Sequence, residues 1–194
     1  MSIKITNLCK SFDGKEIFNG FTYEFAKTGI YAITGPSGVG KTTLLRMIAG
    51  LDKKYSGKIV FEGECDISFA FQEYRLFNQL SAIDNILHLS FKEPTQDDIE
   101  NTKNLLRRLK FSDSDMNLTP SQLSGGMKQR ISFARAIMKK SSVLLLDEAT
   151  KELDQELSDI LIEMIRQESK EKLVILVTHK PEEITKLGAT TISI

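Results

Sequence analysis

Apolar residues along the chain switch repeatedly between strand-like and helix-like spacing. Ile3 and Ile5 alternate with polar neighbours, and Phe21, Tyr23 and Phe25 do the same beyond a turn at Asp13-Gly14, which predicts antiparallel strands over residues 2 to 25. The unbroken run Ile30-Tyr31-Ala32-Ile33 reads as a buried strand. Leu44-Leu45-x-Met47-Ile48 behind it reads as a helix closing at Gly50. Strands follow at Lys58-Ile59-Val60-Phe61, between Ser56-Gly57 and a Glu62-Gly63 turn, and at Ile67-Ser68-Phe69-Ala70-Phe71, running straight into Gln72.

The pattern then changes to helical. Ser81-Ala82-Ile83-Asp84 and Thr95-Gln96-Asp97-Asp98 resemble helix starts with an acid at the third position. Ile99, Leu105, Leu106 and Leu109 fall on one face, so residues 75 to 140 form a mostly helical insertion between two sheet strands. Ser124 caps a helix that starts at Gly125-Gly126 and buries Ile131, Ala134 and Met138, because glycines cost about 1 kcal/mol each inside a helix and belong at its start. Val143-Leu144-Leu145-Leu146 is a central strand buried on both faces. Asp154 caps the next helix, which carries Leu157, Ile160, Leu161, Met164 and Ile165 at i, i+3, i+4, i+7, i+8 spacing. A buried strand, Leu173 to Val177, ends in Thr178-His179, and Pro181 opens a short helix stopping near Gly188. The expected fold is α/β: a P-loop core with a mostly parallel sheet, an N-terminal antiparallel β subdomain and an inserted helical subdomain. All of it belongs to one domain over residues 1–194.

Within this frame, Gly35-Pro36-Ser37-Gly38-Val39-Gly40-Lys41-Thr42-Thr43 contains the full G-x-x-x-x-G-K-T pattern between a strand and a helix. Its backbone N–H groups and the helix start suit a phosphate chain. Lys41 adds charge for the β- and γ-phosphates, and the Thr42 hydroxyl is placed for Mg²⁺. Ser124-Gly125-Gly126 is a second anion-suited helix start. Asp147 and Glu148 end a buried strand, the first suited to Mg²⁺, the second to a water beside the γ-phosphate. Gln72 and His179 also sit at strand tips, on the edge where open α/β sheets bind ligands. Phe12 either stacks on a base or packs as a hairpin core residue.

Bulk properties narrow the setting. Lys+Arg and Asp+Glu are 26 each, so zero net charge leaves no broad footprint for nucleic acid. Hydrophobic content of 41% and charged content of 27% are those of an ordinary globular chain. Cys9 and Cys65 have no metal-ligand spacing and read as small, buried or half-buried residues of a reducing compartment. No apolar stretch approaches the roughly 20 residues that span a bilayer, and the N-terminus has no signal-like core. The expectation is a cytoplasmic protein, peripheral at the cell membrane through a partner, with no direct membrane insertion.

Together the motifs resemble the nucleotide-binding domain of ABC ATPases over almost the whole chain. GPSGVGKT at 35–42 resembles Walker A, Gln72 the Q-loop glutamine, LSGGMKQR at 123–130 the family signature and VLLLDE at 143–148 Walker B. Leu153-Asp154 resembles the end of the D-loop, His179 the H-loop switch and Phe12 the adenine-stacking aromatic. The resemblance implies an ATPase using ATP and Mg²⁺, with Phe12 and residues 35–43 on the nucleotide. Ser124, Gly125 and Gly126 would meet the nucleotide of a second copy, and Thr42, Gln72 and Asp147 would serve the metal. Lys41, Gln72, Glu148 and His179 would serve hydrolysis, with Glu148 as general base. It also implies a head-to-tail pair with two active sites, docked through the helical insertion on transmembrane permease subunits.

Three departures stand out: Lys151 and Glu152 in the D-loop where small residues are usual, a short span between Lys41 and Gln72, and an end just after the last strand, from which no regulatory C-terminal domain is expected. Phe71 to Phe77 is similar to the segment in importers of the nitrate, sulfonate and taurine group, although Asn78-Gln79 replaces a frequent Pro-Trp. An ABC-type ATPase remodelling nucleic acid or ribosomes is the alternative, but such proteins usually carry fused units or a long coiled coil. A monomeric phosphotransfer protein would lack the signature.

Overall fold

Antiparallel, parallel and helical parts interleave along the chain in the computed structural model, which describes residues 2–194. β1 (Ser2–Phe12) and β2 (Lys15–Phe25) form a hairpin. Its two-residue turn places Asp13 and Gly14 at φ 48° and 81°, the left-handed pair that matches strand twist. β4 (Ser56–Glu62) pairs antiparallel with the other edge of β1, giving the order β2-β1-β4.

The second sheet contains β3 (Gly29–Thr34), β5 (Ile67–Ala70), β6 (Val143–Asp147), β7 (Leu173–Val177) and β8 (Thr190–Ser193) in the order β5-β6-β7-β3-β8. Every pairing recorded in it is parallel. All residues of β6 and β7 are buried, as expected for strands covered on both faces. Their side chains divide by the two-residue period. Val143, Leu145, Leu173 and Ile175 face a core shared with α1 (Lys41–Ile48) and the antiparallel sheet. Leu144, Leu146, Val174 and Leu176 face a core shared with α3 (Gln96–Arg108), α4 (Gly125–Met138) and α5 (Gln155–Glu168). Truncating any of these leucines to Ala costs about 2–5 kcal/mol.

The insertion is helical but starts later than its sequence suggests. Residues 75–83 carry no regular helix, and α2 spans Asp84–Ser90. The Ser81 hydroxyl still accepts from the Asp84 N–H, capping a turn that leads into the helix. Thr95 and Asp98 make the reciprocal capping box of α3. Ser124 accepts from Met127 N–H at the start of α4, and Asp154 from Leu157 N–H at the start of α5. α6 (Pro181–Leu187) has Pro181 in its first turn and closes at left-handed Gly188. β5 stops at Ala70, where its pairing with β6 ends opposite Leu146, so Phe71 and Gln72 lie beyond the strand. Cys9 and Cys65 are half-buried free thiols. No helix among the described residues is long and apolar enough to cross a membrane.

Candidate functional site

The loop between β3 and α1 turns on glycines in left-handed backbone. Gly38 and Gly40 have φ of 76° and 117°, and a Cβ on Gly40 would lie 2.5 Å from Ile17 Cγ2. Val39 N–H donates to the Pro36 carbonyl at 3.4 Å. Lys41 is buried, yet forms no ion pair among the described residues. Its Nζ donates instead to the carbonyl oxygens of Gly35 and Pro36 at 2.8 and 2.7 Å. A buried ammonium held only by carbonyls is a cation with capacity for an anion.

Beside it, the Thr42 hydroxyl donates to Asp147 Oδ1 at 3.2 Å. Burial pushes the Asp147 carboxyl above the usual carboxylate range; the Thr42 bond and Lys41 act the other way, and the neighbouring Glu148 charge adds to the rise. Hydroxyl and carboxylate oxygens are the hard donors Mg²⁺ takes together with substrate phosphates and water, so this pair fits that ion.

Glu148, one residue beyond β6, has φ 52°, a left-handed conformation uncommon outside glycine and one that clusters at functional positions. Its N–H donates to the Val177 carbonyl at 3.0 Å, which ties the exits of β6 and β7 together. Three groups converge on its carboxylate: His179 Nε2 at 3.1 Å, Gln72 Nε2 at 3.2 Å and Lys151 Nζ at 2.7 Å. The ion pair raises the Lys151 amine above the ordinary lysine range.

One cleft is lined by Phe12, Ser37, Gly38, Gly40, Lys41, Thr42, Thr43, Gln72, Glu148 and His179, and also by Ile17, Lys151 and Val177. Phe12 ends β1 with 47% of its surface exposed, so the hairpin-core alternative is overturned: the ring points to solvent with Lys10 Nζ 4.4 Å from its centre. Ser124, Gly125 and Gly126 do not line this cleft. An added Cβ on Gly125 would meet the side chains of Glu152 and Tyr74, and one on Gly126 the backbone of Glu152 and the side chain of Leu153.

Several supporting residues carried no role in the sequence reading. Gln129, buried inside α4, donates to the Glu148 carbonyl at 2.7 Å and accepts from Glu152 N–H at 3.0 Å, fixing the loop between β6 and α5. Glu183 is buried in α6 and accepts from the Thr150 and Thr178 hydroxyls at 2.5 and 2.7 Å, locking the two strand exits together. As an acid in a first helical turn it reads simply as a partner of the helix dipole. Arg135 donates to the carbonyls of Tyr74 and Arg75, holding the segment after Gln72 against α4.

Comparison with known proteins agrees with this geometry. The family model described as ABC transporter matches residues 18–151. The sulfate/thiosulfate import ATP-binding protein CysA of Mannheimia succiniciproducens is 38% identical over 94% of this chain and 56% of its own length. The spermidine/putrescine import ATP-binding protein PotA of Aliivibrio fischeri is 35% identical over 96% of this chain and 53% of its own. The chain thus spans little more than half the length of these curated relatives. Among solved structures, a dimeric ATP-binding cassette in a post-hydrolysis state with ADP and Pi superimposes with a TM-score of 0.83 at 25% identity, covering 95% of this chain and 90% of that one. The fold is that of an ATP-binding cassette.

Proposed function

This chain belongs to the ABC transporter family, and from that premise we propose that it is the ATP-hydrolysing subunit of a membrane importer, acting at the cytoplasmic face as one of a pair. The observation that carries this reading is a division of labour. The cleft holds the phosphate loop and the Glu148 carboxylate, while the Ser124-Gly125-Gly126 helix start lies outside it. Each copy then holds half of two sites, and head-to-tail pairing completes both.

In such a pair, residues 35–43 cradle the triphosphate and Lys41 turns from its two carbonyls to the β- and γ-phosphates. Phe12 stacks on the adenine, and Ser124 with the Gly125 and Gly126 N–H groups meets the γ-phosphate from the other copy. Thr42, Asp147 and Gln72 would hold Mg²⁺, which would supply positive charge beside the phosphate oxygens. Water attacks the γ-phosphorus, the bond to the β-phosphate oxygen breaks, and Glu148 takes the water's proton while His179 steadies the γ-phosphate. Permease subunits dock on the helical insertion and receive the closing motion.

The test is sizing chromatography of the Glu148→Gln protein with and without Mg-ATP. A dimer that forms only with nucleotide is expected. A protein that binds ATP and stays monomeric overturns the paired reading.

A further inference from the structure

Lys151 and Glu152 are adjacent in the chain but serve opposite ends of the site. Lys151, with 57% of its side chain exposed, leans into the cleft and lies 2.7 Å from Glu148 Oε2. Glu152 leans the other way, onto the start of α4, where its carboxylate accepts from the Tyr74 hydroxyl at 2.7 Å and covers Gly125. The backbone between them is fixed: Lys151 N–H donates to the Glu148 carbonyl and Glu152 N–H to Gln129. Both charged ends are therefore presented from a rigid support rather than from a wandering loop.

The placement of Glu152 raises an electrostatic problem. A carboxylate over the helix start repels a triphosphate arriving at that same start. The molecule carries its own remedy, because the opposite charge stands at the rim of the cleft that this helix start would face. Under two-fold symmetry a contact from Lys151 to Glu152 is necessarily matched by its reciprocal.

We propose that in the ATP-closed pair each Lys151 leaves Glu148 and pairs with the partner's Glu152. Two reciprocal ion pairs then cross the interface. Glu152 is drawn off the α4 start as the γ-phosphate arrives, and Glu148 Oε2 is released to face the attacking water. This inference rests on the head-to-tail reading above and deepens it by naming the contact.

The experiment uses the full chain carrying Glu148→Gln, saturated with Mg-ATP, with the dimer dissociation constant measured by analytical ultracentrifugation. Lys151→Glu alone and Glu152→Lys alone each set like charges against each other at two symmetry-related places, and each weakens the dimer about tenfold. Combining both in one chain restores opposite charges across the interface and brings the constant back to within about threefold of the parent. Single reversals that dimerise like the parent overturn the ion pairs, as does a double variant no tighter than the weaker single. Lys151→Gln and Glu152→Gln, which remove charge without reversing it, are expected between parent and reversal, and raised potassium chloride narrows the differences. If the Glu148→Gln parent binds ATP without dimerising, the head-to-tail reading itself falls. A dimerising parent with indifferent reversals removes only the contact proposed here.

Discussion

His179 Nε2 lies 3.1 Å from Glu148 Oε1, across the exits of two adjacent parallel strands. Neither residue places the other by sequence proximity. β6 pairs with β7 through Asp147 and Val177, and the next residue of one strand and the second of the other meet over the cleft. Glu148→Gln preserves the shape of this contact while removing the proton acceptor. Hydrolysis is expected to fall by roughly 10²–10⁴ with ATP affinity retained. Phosphate release and nucleotide titration measure the two, and near-parental turnover removes Glu148 from the role of base.

Lys41→Ala removes the buried ammonium that Gly35 and Pro36 hold in place. A charge-assisted bond contributes about 1.5–3 kcal/mol, so ATP affinity should drop by roughly a hundredfold. Isothermal calorimetry reads this directly; unchanged affinity contradicts the phosphate-loop assignment.

Gly40 and Gly38 separate steric demand from backbone demand. Both have positive φ, but only Gly40 has neighbours, Ile17 and Phe18, where a Cβ would go. Gly40→Ala is expected to cost about 2–3 kcal/mol and Gly38→Ala about 1 kcal/mol in urea denaturation. Equal losses would show that the walls of the loop give way freely.

Gln129→Ala leaves the Glu152 N–H without its partner, while the Glu148 carbonyl keeps only the Lys151 N–H. The expected cost is about 1–3 kcal/mol for that one orphaned N–H, together with slower hydrolysis as the loop bearing Glu148 loosens. Gln129→Glu keeps the acceptor for Glu152 but loses the donor to Glu148, so it should hold the Glu152 half of the loop alone. Urea melts combined with turnover distinguish these outcomes.

Tyr74 supplies the pH test. Burial, reinforced by its bond to Glu152, pushes the phenol up to about 12. The fold therefore favours neutral Tyr74. Its stabilising effect is complete below the ordinary phenol value near 10 and is lost as pH rises through about 12. Tyr74→Phe should remove one late-titrating phenol from the ultraviolet titration. Glu152→Gln should bring that phenol only part of the way back, since burial is the larger cause.

Much of this molecule was legible from residue order. The two-residue period of β1 and β2, the four-apolar run before Asp147 and the caps at Ser124 and Asp154 all depend on local chemistry, and each was found where the pattern placed it. The glycine-rich loop between β3 and α1 was equally clear, because its glycines, lysine and threonine stand at fixed spacing between a strand and a helix. Less legible were the segment 75–83, where a capping pattern ahead of Asp84 introduces a turn before the helix, and the end of β5, which its partner strand decides.

The amino-acid order alone determined the parts: a glycine-rich loop suited to phosphate, a second anion-suited helix start, and polar groups just past the ends of buried strands. Only the folded chain decided their company, setting Lys151, Gln72 and His179 on one carboxylate and Glu152 over the other helix start. Gln129 and Glu183 became supports in the same way, through partners that include Glu148 and Thr150, 19 and 33 residues distant in the chain. Local spacing encodes the conformation of a short segment, because only neighbouring residues compete for its dihedral angles and hydrogen bonds. Which side chains meet across a sheet depends on strand order and register, and those are settled only when the two apolar faces of the sheet find their cover.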